Sequence, residues 1–232
     1  MEKLNLQFHD TLNPDLWEGD ELKPEVKEAL LKISEEFVNF LKIEVEPEEI
    51  ILLGSSANYN YTEHSDIDLH VIIDFSKVGE DKKLVKGFFD AKKFIWNTQH
   101  AIKIYGYEVE CYVQDISETN HSTAVYSLTT DSWIKKPSRE KPKIDTQEVL
   151  HKAKDFAKRI EMAKGDAEAL NGLKDKLKHM RQSGLDRAGE YSTENIIFKA
   201  LRNSKHIEKL YTFAKDVFDQ ELSLKEYQEL MN

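Results

Sequence analysis

Two short apolar runs separated by a polar loop constrain this chain more than any other feature. Glu49 to Leu53 reads as a buried strand that ends at Gly54, and Asp66 to Phe75 reads as a second strand rich in β-branched residues. Between them, residues 55–65 (Ser-Ser-Ala-Asn-Tyr-Asn-Tyr-Thr-Glu-His-Ser) are polar and read as a loop with one helical turn. A third strand, Tyr107 to Gln114, follows the chain reset at Gly106.

Helical patterns fill the remainder. Asn13-Pro14-Asp15 is a turn, and Pro24 sits at a first helical position. From there Val26, Leu30, Ile33, Phe37, Phe40 and Leu41 recur at spacings of three and four, and Pro47 is expected to stop the helix. Lys83 to Ile102 reads as a helix whose inner face carries Leu84, Phe88, Ala91, Phe94, Ile95 and Thr98. Trp96, Trp133 and the phenylalanines of 88–94 read as core. Residues 116–143 are less regular and end in Pro137 and Pro142. Beyond them come helices over Gln147–Lys164 and Asp166–Gln182, a loop over Ser183–Ser192, then helices over Thr193–Phe218 and Ser223–Met231. The fold class is α+β: a small mixed sheet with flanking helices over residues 1–143, then a helical module over 144–232.

Charge and composition exclude several classes. The 232 residues carry a net charge of −10, with 17 Lys/Arg against 28 Asp/Glu in residues 1–147 and 16 against 15 in 148–232. An acidic front half and a neutral back half do not suit a protein that grips nucleic acid, DNA included, non-specifically through phosphates, although a local basic patch can still meet a particular RNA or a nucleotide. Apolar runs such as Ile50–Leu53 are far too short to span a bilayer, and the N-terminus lacks the pattern of a signal peptide. One cysteine, Cys111, excludes an internal disulfide and any multi-cysteine zinc site. The expected home is the cytoplasm, the host's if the chain is phage-encoded.

The chemistry is concentrated in Leu53-Gly54-Ser55, ten intervening residues, and Asp66-Ile67-Asp68-Leu69. Gly54 lets the chain turn sharply and lets a phosphate approach the backbone. Ser55 offers a hydroxyl and an amide to phosphate oxygens, and a following helical turn adds N–H donors. Asp66 and Asp68 are two apart on a strand and leave one face, while Ile67 and Leu69 point to the core. Two hard anionic oxygen ligands suit magnesium, with phosphates and water completing its octahedron. A third carboxylate from a neighbouring strand would allow two ions. Glu108 and Glu110 share the required parity; Glu110 is preferred because Val109 and Cys111 flank it.

Gly54-Ser55, the spacing to Asp66-Ile67-Asp68 and the later strand acid resemble the nucleotidyltransferase superfamily, which includes DNA polymerase beta, CCA-adding enzymes, poly(A) polymerases and antibiotic nucleotidyltransferases. The longer pattern, including Gly189 to Asn203, is similar to uncharacterised nucleotidyltransferase-like proteins of bacteriophages and bacteria. The resemblance implies a metal-dependent transferase that moves a nucleoside monophosphate from a triphosphate, ATP among the candidates, to a hydroxyl. It implies two Mg2+ ions, or Mn2+ in their place, on Asp66, Asp68 and Glu110, with Gly54, Ser55 and Ser56 at the triphosphate. The acceptor stays open, with RNA slightly favoured. The rival is a catalytically idle member of the fold that binds a nucleotide or a protein. Many members use Asp where this chain has Glu110.

Lys199, Arg202, Lys205 and His206 recur at helical spacing, and in related folds such a cation reaches the triphosphate; Lys199 and Arg202 are the candidates. Tyr59 and Tyr61 either stack on a base or pack on a helix. His64 reads as a polar loop residue. His70 shares parity with the aspartates, at the far end of the site or as partner of a carboxylate. Cys111 reads as buried and inert.

Overall fold

A computed structural model of the chain describes residues 8–63, 65–139 and 143–224. They divide into two compact units, one within residues 6–141 and the other within 142–232.

The first unit is built on a six-stranded mixed sheet. Its strands are β3 (Glu49–Leu53), β4 (Ile67–Ile73), β5 (Lys103–Ile104), β6 (Tyr107–Asp115), β7 (Val125–Ser127) and β8 (Ser132–Lys135), in the order β5-β6-β4-β3-β7-β8. β4 and β6 run parallel; the other neighbours are antiparallel. A two-stranded ribbon, β1 (Trp17–Glu18) and β2 (Glu21–Leu22), precedes the sheet. Two helices, α1 (Pro24–Leu41) and α2 (Lys82–Gln99), pack against β4 and β6. The alternation of strand side chains then assigns the faces. Leu52, Ile67, Leu69, Val71, Ile73, Val109 and Cys111 join Leu30, Phe37, Phe89 and Trp96 in one core, which leaves Asp68, His70, Glu110 and Tyr112 on the opposite face. Each such Leu or Ile, fully buried, contributes about 1.5–3 kcal/mol.

Several local expectations change. Pro24 does open α1, but the helix ends at Lys42, left-handed at φ 58°, well before Pro47. Its buried stripe is Val26, Leu30, Ser34, Phe37 and Leu41, with Ile33 and Phe40 only partly covered. The inner face of α2 is Val85, Phe89 and Trp96, whereas Leu84, Phe88, Phe94 and Ile95 are exposed. The doublets Phe88-Phe89 and Ile95-Trp96 permit either rotation. Tertiary partners choose: Trp96 lies 5.4 Å from the rings of both Phe37 and Phe40, and Phe89 lies 5.0 Å from Phe75. Asn97 then locks the choice, since its side chain exchanges two 3.1 Å hydrogen bonds with the backbone of Cys111 on the outer edge of β6.

β5 and β6 join through Tyr105 (φ 51°) and Gly106 (φ 92°), a turn that needs positive φ at both central residues. β7 and β8 emerge from the stretch that reads as irregular. Trp133 of β8 stacks on Trp17 at 4.9 Å and meets Tyr126 of β7 edge-on at 5.1 Å.

The second unit holds α3 (Thr146–Met162), α4 (Ala167–Ala188), α5 (Thr193–Asn203) and α6 (His206–Leu222). Asp145, Asp166 and Ser192 cap the first three by accepting backbone N–H bonds. Val149, Phe156, Ile160, Leu170, Leu177, Ile197, Leu201 and Leu210 share its core. The expected loop from Ser183 is instead the last turns of α4. Gly184 is helical, and a Cβ there would meet Ser192 Oγ at 2.7 Å and Glu194 Cβ at 2.8 Å, so this glycine serves a close crossing rather than a turn. The single helix expected over Thr193–Phe218 breaks at Lys205, left-handed at φ 61°. Lys205 and His206 therefore do not continue the helical row of Lys199 and Arg202. His64 and most of the expected helix Ser223–Met231 lie outside the described residues. Among the described residues no helix is long and apolar enough to cross a membrane.

Candidate active site

The register of three strands assembles the candidate site. Leu53 of β3 pairs with Asp68 of β4, and Asp68 stands directly across from Glu110 on the parallel neighbour β6. The second row on the same face is Ile51, His70 and Tyr112. Neighbouring strands lie about 4.7–4.9 Å apart, so the two carboxylates share one short stretch of surface. Glu108, two residues earlier, is exposed and pairs with Lys103 of β5 instead. Asp66 is half-buried and lies one residue ahead of β4.

Gly54 is required here for two reasons. Its φ and ψ are 79° and −161°, a region open essentially to glycine alone. A Cβ added to it would lie 1.9 Å from Asp68 Oδ2 and 2.9 Å from Asp68 Cγ. The Asp68 carboxylate thus rests on the bare Cα of Gly54, which ties the glycine to the acid across the intervening loop.

The loop is pinned from both ends. Ser55–Ala57 forms a single 3-10 turn, and the Ser55 hydroxyl donates to Ser65 Oγ at 2.9 Å. Ser56, expected at the triphosphate, is fully buried; its hydroxyl donates to the Asp66 carbonyl at 2.5 Å and its own carbonyl accepts from Trp17 Nε1 at 2.8 Å. Its side chain therefore positions Asp66. Tyr59 and Tyr61 are buried too: Arg139 Nε donates to the Tyr59 hydroxyl at 3.1 Å, and Tyr61 stacks on His9 at 3.9 Å. Both are packing residues.

Tyr112 is the site residue that sequence reasoning missed, although its parity with Glu110 was the available signal. Its hydroxyl donates to Glu110 Oε2. Burial, then the hydrogen bond to Glu110 and the charges of Glu110, Asp68 and Asp66, push its pKa far above the usual phenol value. The phenol stays a donor at any physiological pH. Lys93 Nζ lies over the Tyr112 ring at 4.8 Å, and the His70 ring stacks against it, also at 4.8 Å. The partner of His70 is the amide oxygen of Gln114, at 2.9 Å, and not a carboxylate. Burial outweighs that bond and lowers its pKa to about 4, so it is neutral near pH 7.

The far ends of β4 and β6 are clamped by Asp115, which accepts from Phe75 N at 3.0 Å, Lys82 Nζ at 2.7 Å and Ser117 Oγ at 2.5 Å. Burial alone would raise its pKa, but these donors outweigh it and hold it at about 2. Cys111 is buried, and desolvation pushes its thiol up to about 12.

Among the described residues no three His, Cys, Asp or Glu side chains stand close enough to form a metal cage. The donor set is nonetheless that of a hard divalent cation: carboxylate oxygens alone, two of them on adjacent strands in register. Lys199 and Arg202 lie on α5 in the other unit; Lys199 Nζ is 4.0 Å from Glu190 Oε2, and Arg202 is exposed.

No curated protein and no solved structure matches the chain. The nucleotidyltransferase domain family model does match, over residues 32–122. That segment runs from within α1 to just beyond β6 and includes Gly54, Asp66, Asp68, Glu110 and Tyr112. Residues 32–122 thus match a nucleotidyltransferase domain, in agreement with the resemblance to the nucleotidyltransferase superfamily drawn from the sequence.

Proposed function

We propose that the protein moves a nucleoside monophosphate from a nucleoside triphosphate to a hydroxyl acceptor, with Mg2+ held by Asp66, Asp68 and Glu110. The observation that carries this reading is the pairing of Asp68 with Glu110 on parallel strands, with Gly54 beneath the Asp68 carboxylate. Asp68 and Asp66 face the triphosphate side, and Gly54-Ser55 lets the phosphates come close to the backbone. The acceptor oxygen bonds to the α-phosphorus, the bond to the β-phosphate bridging oxygen breaks, and pyrophosphate leaves. Glu110, whose Oε2 accepts from the Tyr112 hydroxyl, or the ion it would hold, assists removal of the acceptor proton. Bound magnesium, or manganese in its place, supplies charge neutralisation for the phosphates and lowers the pKa of the attacking hydroxyl. RNA is the favoured acceptor. The cytoplasm is the proposed location.

The test uses the full chain, each labelled triphosphate, total cell RNA and magnesium. Label should enter one fraction with matching pyrophosphate release, and Mn2+ titration followed by paramagnetic resonance should show binding that Asp68→Asn abolishes. Transfer by Asp66→Asn or Asp68→Asn above a few per cent of the original rate, or unchanged manganese binding, would sink the assignment.

A further inference from the structure

The helical unit carries a groove of about 350 Å3 between α4, α5 and α6 that the catalytic face does not use. Lys174, Lys178 and Arg181 line it at positions i, i+4 and i+7 of α4, so three cations follow one helix face. They span roughly 10 Å at about 1.5 Å per residue. Phe198 and Tyr211 line the same groove. Leu177 and Leu210, both buried, form its apolar floor.

The charges are held ready. The Arg181 guanidinium lies 4.4 Å over the Phe198 ring while its Nε donates to Asn195 Oδ1 at 3.2 Å. Lys174 Nζ lies 5.3 Å from the centroid of Tyr211, a ring that is 57% exposed. Among the described residues no carboxylate lines the groove, and neither Lys174 nor Lys178 has an ion-pair partner within 4.0 Å. In a chain of net charge −10, acids were abundant enough to pair them.

We propose that this groove binds single-stranded RNA. A row of three cations is longer than one phosphate and matches a run of consecutive phosphates. Ring faces beside such a row take unpaired bases, which every base supplies regardless of sequence. A duplex keeps its bases stacked inside and leaves the rings without partners. The further role of this strand as the acceptor rests on the nucleotidyl-transfer reading; the binding itself does not.

The experiment measures fluorescence anisotropy of a labelled twelve-nucleotide mixed-sequence RNA with the full chain, across a salt series. Saturable binding should weaken with salt. Lys174→Gln/Lys178→Gln should weaken it at least tenfold and flatten the log–log salt slope by about 1.4, since each single-strand phosphate contact contributes about 0.7. Tyr211→Ala should weaken it roughly fivefold to hundredfold with the slope unchanged. Circular dichroism confirms that the variants fold. Unchanged affinity in the double glutamine variant overturns the proposal, as does equal binding of duplex DNA, ATP or poly-glutamate. A protein that binds RNA through this groove without transferring nucleotide overturns only the proposed function; one that transfers nucleotide without binding RNA overturns only the groove.

Discussion

Gly54→Ala separates the two demands placed on this glycine. The first is backbone strain: at φ 79° and ψ −161° an alanine costs about 1–3 kcal/mol whatever surrounds it. The second is the 1.9 Å approach to Asp68 Oδ2. That atom ends a side chain that can rotate, so the clash is relieved by moving the carboxylate and adds little to the stability loss. Displacing the acid does affect the chemistry, because a shift of about 1 Å in a reacting constellation costs on the order of a hundredfold in rate. For a unit of this size, thermal unfolding should occur roughly 4–15 °C lower, and pyrophosphate release should fall about a hundredfold. The same substitution placed in Asp68→Ala should lower the unfolding temperature by a similar amount, since the strain persists after the clash is gone. A Gly54→Ala protein with the parent's melting temperature and rate would refute the argument. A melting loss that vanishes in the Asp68→Ala background would refute the strain half of it.

Glu110→Gln should cost several orders of magnitude in turnover with triphosphate binding nearly unchanged, while Glu108→Gln, on the β5 side, should be mild; single-turnover and binding assays together decide, and the reverse outcome removes Glu110 from the chemistry. Asp115 has its carboxyl lowered from 3.8 to about 2, so its stabilisation is complete above pH 4 and is lost as the pH falls through 2. With allowance for solvent screening of the half-exposed Lys82, Asp115→Asn should cost about 1–2 kcal/mol at pH 7. The difference from the parent should shrink towards pH 2 in urea titrations; a gap that stays constant with pH contradicts the pairing.

The sequence by itself determined the strand pair around Gly54, the parity that turns Asp68 and Glu110 away from the core, and the helical character of the second half. These are local properties: alternation has a period of two, helices a period near 3.6, and a glycine before a polar loop announces a turn. Tertiary structure decided everything that depended on a partner distant in sequence. The rotation of α2 turned on Phe37, Phe40 and the edge of β6, because Phe88-Phe89 and Ile95-Trp96 satisfy either face equally. Gly184 looked like a loop residue because the crossing of Ser192 and Glu194 against it leaves no mark on the neighbouring residues. β7 was hidden because three residues are too few for a visible period, and it is β3 that extends them into a strand. The same holds within the site. Spacing could nominate Ser56 beside Ser55, but only the fold spends the Ser56 hydroxyl on the Asp66 carbonyl and sets the Tyr112 hydroxyl on Glu110. A side chain's type is written in the chain; the use of its polar atoms is set by whichever groups the fold brings within hydrogen-bonding reach.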